Sequence, residues 1–428
     1  MPRFPRHPDP ADALLVAYSG GLDSSVLLHW LHQAARARAT ALRAVHVHHG
    51  LQPQADAWAE HCQRTCAAWG IELAIHRVQV DLGSGLGLEG AARAARRAAF
   101  AAELRVDEQL VLAQHQDDQA ETFLLRALRG AGVDGLAAMA GQGSLQGHPV
   151  WRPLLDVPRS ALVDYARQQG LQWIEDSSNA DDAADRNFLR LHVLPLLRQR
   201  WPHASAALAG SAVHAGTLRV MLDAEDAQVL TEVEVAPRVL SLELLRQLSP
   251  QRRARLLRAW ATTHGVPALP GSVVRQLESE LLQAAPDRQA QVRWRDQSIR
   301  QWRNHWYLLP AVLPRLPSDW QAAWDGRTPL ALPDGGELRL QGASGWEQPL
   351  QVTGRRGGER IQQAGRTHAH ALKDCLQREH LAPWRRDQLP LLWHGDTLLG
   401  AADVVVSGQL DGWLRAHGAS LRWRPGGW

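Results

Sequence analysis

The sequence predicts an α/β fold: a Rossmann-like parallel sheet covered by helices, then a helical middle region, then a small α/β C-terminal region. Three observations carry this. Over the first 200 residues, short apolar runs alternate with helix-length segments, the βαβ rhythm of a parallel sheet buried on both faces. From about 205 to 310, Leu and Val recur at three- and four-residue spacing, the period of one helix face. With 428 residues, 45% hydrophobic and 21% charged, the chain is long and apolar enough for two or three cores.

In order, ALLVAY (13–18) reads as the first strand and Asp23 to about Arg36 as the first helix. LRAVHV (42–47) is a second strand, Ala55 to Trp69 a second helix, and IELAIHRVQV (71–80) a third strand. After the Gly-rich GSGLGLEG comes an Ala/Arg helix from about Leu88 to Leu104, then QLVLAQ (109–114) as a fourth strand running into a helix near Asp117. Such sheets take ligands at the carboxyl ends of their strands. In the middle region LRQLSPQRRARLLRAWATTHG predicts a helix with an Arg-rich exposed face, and the Pro-rich LLPAVLPRLP (308–317) reads as a linker. The tail from about 330 reads as short strands, with a helix around Ala371–Glu379 and WHGDTLLGAADVVV as a hairpin. The expected domains are 1–205, 206–315 and 330–428.

Three cysteines, Cys62, Cys66 and Cys375, exclude a disulfide-stapled secreted scaffold and fit a reducing cytoplasm. The N-terminal apolar run is broken by Pro and Gly, unlike a signal peptide, and no run approaches the roughly 20 apolar residues of a membrane span. A cytoplasmic protein without membrane contact is expected. A net charge of +3 is too slight for global attraction to nucleic acid, so any such partner must be met by local patches. Lys373 is the only lysine. Nearly all positive charge is therefore guanidinium, the forked donor suited to phosphate and carboxylate.

The strongest local signal is Ser19-Gly20-Gly21-Leu22-Asp23-Ser24-Ser25, between a buried strand and a helix. Two glycines permit positive φ and close approach of a ligand, while the helix-start amides form a nest for an anion. This is a phosphate cradle, but not a Walker A loop, since the segment has no lysine. After the fourth strand, Asp117, Asp118 and Glu121 share the face of a helix start beside His115. Such acids either cap the helix or serve a cation, and beside a polyphosphate they require Mg²⁺ or a cationic substrate. His46, His48 and His49 end the second strand; His49 points away from the other two, which favours a pocket wall over a metal site. Glu89, Arg93, Arg96 and Arg97 lie close together on one helix, and Arg152, Arg186 and Arg190 are natural anion forks around Asp176-Ser177-Ser178-Asn179.

SGGLDS in this setting resembles the PP-loop ATP pyrophosphatase superfamily, whose members split ATP between the α and β phosphates and adenylate an oxygen of a second substrate. Within it, LAQHQDDQAETFLLRALRGAG, the VHVHHGL segment, and RPLL followed by DSSN and RNFLR resemble tRNA(Ile)-lysidine synthases. So do GRRGGER and LKDCLQREHLAPWRRDQLPLLWHGDTLLG near the C-terminus, so the likeness spans nearly the whole chain. One motif departs from the family: in E-x-x-A-R-x-x-R-Y-x-x-F the aromatic is replaced by Ala98, while Phe100 keeps its end.

The resemblance implies a C–N ligase that adenylates oxygen 2 of the wobble cytidine of a CAU-anticodon tRNA(Ile) with ATP, then joins free L-lysine to carbon 2. It implies that Ser19, Gly20, Gly21, Leu22, Asp23, Ser24 and His46 hold ATP. Asp23, Asp118, Glu121 and Arg186 would be catalytic. His115, Glu89, Arg93, Arg97, Arg152 and Arg190 would contact substrates, and Asp23 and Asp117 are candidate Mg²⁺ ligands. The arginines at 355–366, with Lys373, Arg385 and Arg386, form the best patch for RNA phosphates. A homodimer is left open. Two rivals are a PP-loop tRNA thiolase, which needs reactive cysteines, and a non-catalytic tRNA-binding protein.

Overall fold

A computed structural model describes residues 13–426 except 39, 82, 84, 86, 177–181 and 283–289. Ser177, Ser178 and Asn179 of the DSSN segment lie outside the described residues, as do Leu82, Ser84 and Leu86 of the Gly-rich loop and the first twelve residues. The chain divides into two units, 1–223 and 224–428.

The first unit runs β1 (Ala13–Ala17), α1 (Leu22–Arg38), β2 (Ala41–His48), α2 (Ala55–Trp69), β3 (Glu72–Arg77), α3 (Gly87–Glu103), β4 (Glu108–Val111), α4 (Gln116–Leu128) and α5 (Val133–Leu136). Then come β5 (Gln142–Leu145), β6 (His148–Trp151), α6 (Arg159–Gln168), α7 (Asp185–Phe188), a π-helical turn (Leu189–Val193) and α8 (Leu194–Arg200). The sheet order is β3-β2-β1-β4-β6-β5, parallel except for the edge strand β5. Leu15, Val16, Leu110 and Val111 are at most 1% exposed, as strands covered on both faces must be. The β5–β6 hairpin was not foreseen. Its two-residue turn is Gln146 (φ +50) and Gly147 (φ +92), the left-handed pair a tight hairpin requires.

One topological fact positions everything that follows. From β1 the chain adds β2 and β3 on one side, then crosses back to lay β4 against the other side of β1. Loops leaving the carboxyl ends of β1 and β4 therefore diverge around a crevice, the place where open α/β sheets bind ligands. Those two loops carry SGGLDS and HQDDQAET.

The helix α9 (Ala204–Val233) contains the division between the units. The second unit begins with β7 (Glu234–Ala236), β8 (Val239–Ser241), α10 (Leu242–Gln247), α11 (Pro250–Thr263), α12 (Gly271–Gln276), β9 (Gln291–Trp294), β10 (Gln297–Trp302) and β11 (His305–Pro310). The helices are as expected, but they pack on a five-stranded sheet, β7-β8-β11-β10-β9, around Leu256, Leu257, Trp260, Ile299 and Trp306. Two further expectations need correction. Leu308–Pro310 finish β11 instead of opening a linker. The Arg-rich face of α11 is not exposed: Arg253 is buried against Glu278 (2.8 and 2.9 Å), and Arg255 pairs with Asp226 (2.8 Å). The rest is strand-rich, with a sheet built from Gln321–Trp324, Leu350–Thr353, Leu391–His394, Thr397–Ala401 and Val405–Val406, and helices α13 (Leu372–Arg378) and α14 (Pro383–Arg386). Among the described residues no helix is long and apolar enough to cross a membrane.

Candidate active site

β1 delivers Ser19 to the carboxyl edge of the sheet, and α1 begins three residues later. Gly20 adopts φ +84, and a Cβ there would lie 2.5 Å from Ile174 Cδ1 and 2.9 Å from Cys62 Sγ, so the position admits only glycine. The turn is stapled by its own hydroxyls. Ser24 Oγ donates to Gly21 O (3.0 Å) and accepts from Ser19 N (3.2 Å), while Ser25 Oγ donates to Gly20 O (3.3 Å). Ile174 N also donates to Gly20 O (2.9 Å). The Leu22 side chain is buried in the core. What the cup offers an anion is therefore the first amides of α1, which have no partner within the helix, and the exposed Ser19 hydroxyl.

Across the crevice His115 is the N-cap of α4. Its Nδ1 accepts from Asp117 N (3.2 Å) and Asp118 N (3.4 Å), and Asp118 Oδ2 accepts from His115 N (3.1 Å), a capping box with imidazole in the serine role. These bonds assign the ring proton to Nε2, which lies 3.5 Å from both Asp23 Oδ2 and Asp118 Oδ2. A histidine only 1% exposed thus ties the carboxylate of the cup to that of α4. Burial pulls the His115 pKa down, but Asp23, Asp118 and Asp117 outweigh it and raise the value. Burial would lift Asp23, yet His115, Arg159 and Arg190 hold it below the ordinary carboxylate value. Asp23 Oδ1 is buried without a hydrogen-bond partner; Arg159 Nε is 3.9 Å from it.

A row of arginines on α7, the π-helical turn and α8 faces the acids of α4. Arg190 grips Glu121 through Nε (2.7 Å) and Nη2 (2.9 Å), and Nη2 also reaches Asp118 Oδ1 (3.1 Å). Arg186 Nε lies 3.2 Å from Glu121 Oε2, and its Nη2 donates to Thr122 Oγ1 (2.7 Å). Arg198 Nη2 meets Asp117 Oδ1 at 2.7 Å. Glu121 is fully buried; burial pushes its carboxyl up against the opposing pull of Arg190 and Arg186. A carboxylate shared by two guanidiniums is an anchor: it fixes both forks and leaves each with N–H groups beyond those already engaged.

The other expected residues fall into two places. His46 stands behind the cup, its Nδ1 donating to Tyr18 O (3.0 Å) and lying 3.4 Å from Cys62 Sγ. The three imidazoles do not converge, since His48 meets Asp56 (3.2 Å) and His49 accepts from Arg96 (3.4 Å). Glu89, Arg93 and Arg97 are exposed on α3. Burial, followed by the positive field of Arg93 and Arg97, lowers the pKa of Arg152, so these three arginines form one basic wall. Cys62 and Cys66 are buried, and burial pushes both thiols up to about 12, far from a reactive thiolate. Sequence reading missed Ile174, Arg159 and Arg198. Only Arg198 left a signal: it follows Arg190 by eight residues, as Arg190 follows Arg186 by four, a helical stripe.

Family models match the chain segment by segment: a PP-loop domain over residues 4–197, a TilS substrate binding domain over 240–307 and a TilS substrate C-terminal domain over 350–423. A tRNA(Ile)-lysidine synthase of Xanthomonas campestris pv. campestris (strain 8004) is 54% identical over 417 residues, 97% of this chain and 96% of the relative. The chain belongs to the tRNA(Ile)-lysidine synthase family. Further lysidine synthases similar to it come from Xylella fastidiosa (strain Temecula1), 50% identical over 98% of this chain and 97% of the relative, and Serratia proteamaculans, 42% over 92% and 91%. As a lysidine synthase family member, the chain is an ATP-using ligase whose cup and acidic row lie within the PP-loop domain.

Proposed function

We propose that this protein joins free L-lysine to carbon 2 of the wobble cytidine of a CAU-anticodon tRNA(Ile), at the expense of ATP. The observation that carries this is the meeting of Asp23 and Asp118 through His115 at the fork of β1 and β4, within reach of Arg190. In the first step cytidine oxygen 2 attacks the α-phosphorus, the bond to the bridging oxygen breaks, and pyrophosphate leaves. In the second the ε-amine attacks carbon 2, the carbon–oxygen bond breaks, AMP leaves with the oxygen, and the amine gives up its proton. The α1 amides hold the phosphates, with Ser19 beside them. Arg186 and Arg190, fixed by Glu121, offer their remaining N–H groups to the adenylated intermediate, and Asp23 and Asp118 take the lysine ammonium. Arg93, Arg97, Arg152 and Glu89 contact the RNA near the anticodon.

Mg²⁺ fits Asp23, whose Oδ1 is buried without a hydrogen-bond partner; the ion would be completed by phosphate oxygens and would neutralise charge developing on pyrophosphate. Asp117 joins it only by leaving Arg198. In this reading residues 1–205 catalyse, 206–315 connect, and 330–428 bind tRNA. The enzyme works in the cytoplasm, where its three thiols stay reduced.

The test is incubation with ATP, lysine and CAU-anticodon tRNA(Ile), followed by nucleoside mass analysis. Lysidine should form only when all three are present. Unmodified cytidine sinks the proposal, and a sulfur-containing base would restore the thiolase.

A further inference from the structure

The second unit holds a cavity of about 790 Å³, built wholly from its own residues. Arg293 and Arg300 come from β9 and β10, Arg355 from the loop after Leu350–Thr353, and Lys373, Trp384 and Arg386 from α13 and α14. Five of these six are cations. Among the described residues, the ion pairs that the lining cations make with acids are those of Arg355 with the buried Glu359 (3.4 Å) and of Arg315 with Asp387 (3.9 Å).

Burial and neighbouring cations act together on two of these arginines. Burial, then Arg293 and Arg315, pulls Arg300 below the usual guanidinium value; burial, then Arg355 and Arg303, does the same to Arg386. The Nε atoms of Arg300 and Arg355 are buried without a hydrogen-bond partner. Arg300 is also held in place: its guanidinium lies 5.8 Å over the Trp384 ring, which itself packs edge-on against Tyr307. Crowded, partly desolvated like charges with unmet donors cost stability, and a bound anion offsets that cost. The volume suits one small ligand, since small-molecule pockets run from about 300 to 1,000 Å³. Val312 and Leu313 add an apolar side, which a base can cover.

We propose that this cavity binds a free nucleoside polyphosphate, its phosphates on the cations and its base on the apolar side. The proposal does not rest on lysidine formation.

The full chain is melted with and without inorganic tripolyphosphate, as wild type and as the double variant Arg293→Gln, Arg300→Gln. Tripolyphosphate also suits the cup, so the difference between the two proteins is the readout. Wild-type Tm should rise by about 3 °C or more at saturating ligand. The variant, relieved of repulsion, should melt at or above wild type without ligand and lose most of the rise. Equal rises overturn the proposal, and so does a variant that melts well below wild type, which would make the two arginines structural. Competition for the radiolabelled tripolyphosphate that wild type binds in excess of the double variant then separates the sources. Displacement of that excess by GTP assigns a free nucleotide. Displacement by an RNA hairpin with a single-stranded tail, but not by GTP, overturns the proposal and makes the cavity part of the RNA-binding surface. Displacement by none of them overturns the site.

Discussion

Glu121 has no exposure to water and serves two arginines at once. Glu121→Gln keeps its shape but leaves Arg190 and Arg186 without a counter-charge, which should cost about 3 kcal/mol in denaturant unfolding. Lysidine formation should fall about 100-fold as the forks lose their positions. His115 permits a cleaner separation. His115→Asn keeps a good N-cap and removes the ionisable ring. A histidine whose pKa is raised by folding contributes stability that is full below its unfolded value, 6.5, and is lost as pH climbs through the folded value. The Tm advantage of wild type over His115→Asn should therefore shrink as pH rises above about 6.5; a difference that grows with pH would contradict the raised direction. At this scale residue types were legible and partnerships were not. Asp118 and Glu121 were visible as a helix-start pair. That Glu121 would be anchored by arginines some 69 residues away depends on long-range packing that spacing does not encode.

Among the elements, the turn from β1 to α1 tolerates least. Gly20→Ala would place a methyl against Ile174 and Cys62 at a φ of +84, so the turn must shift. The left-handed conformation alone costs about 1–2 kcal/mol. ATP affinity should drop at least tenfold by calorimetry while the far-UV spectrum holds; unchanged affinity would show that the cup is not the phosphate site. The turn was readable because a buried strand, two glycines and a helical period stand side by side. The sheet of the second unit was not, because β7 to β11 are three to six residues long and lie among strongly periodic helices. The π-helical turn was also invisible. Its extra residue rotates α8 relative to α7, which lets one continuous coil bring Arg190 to Glu121 and Arg198 to Asp117.

For the molecule as a whole, a net charge of +3 conceals arginine clusters in both units: Arg93, Arg97 and Arg152 in the first, Arg355 and Arg386 in the second. Binding through such clusters releases counterions, so tRNA affinity should fall about 1,000-fold between roughly 50 and 200 mM salt. On the proposed reading, in which amides of the β1–α1 turn hold the phosphates, ATP affinity should change far less. Filter binding and calorimetry at matched salt would check both, and a flat tRNA curve would refute the electrostatic footprint. The alternation of strands and helices made the first unit's architecture legible, whereas its meeting of two distant loops follows from strand order alone. That order has a consequence during synthesis. While the ribosome is still making β4, the nascent chain already has its glycine turn but lacks the histidine and the second carboxylate. In the proposed mechanism, therefore, neither half of the crevice suffices: the histidine and the second carboxylate meet the glycine turn only because Ala13 pairs with Glu108 across the sheet.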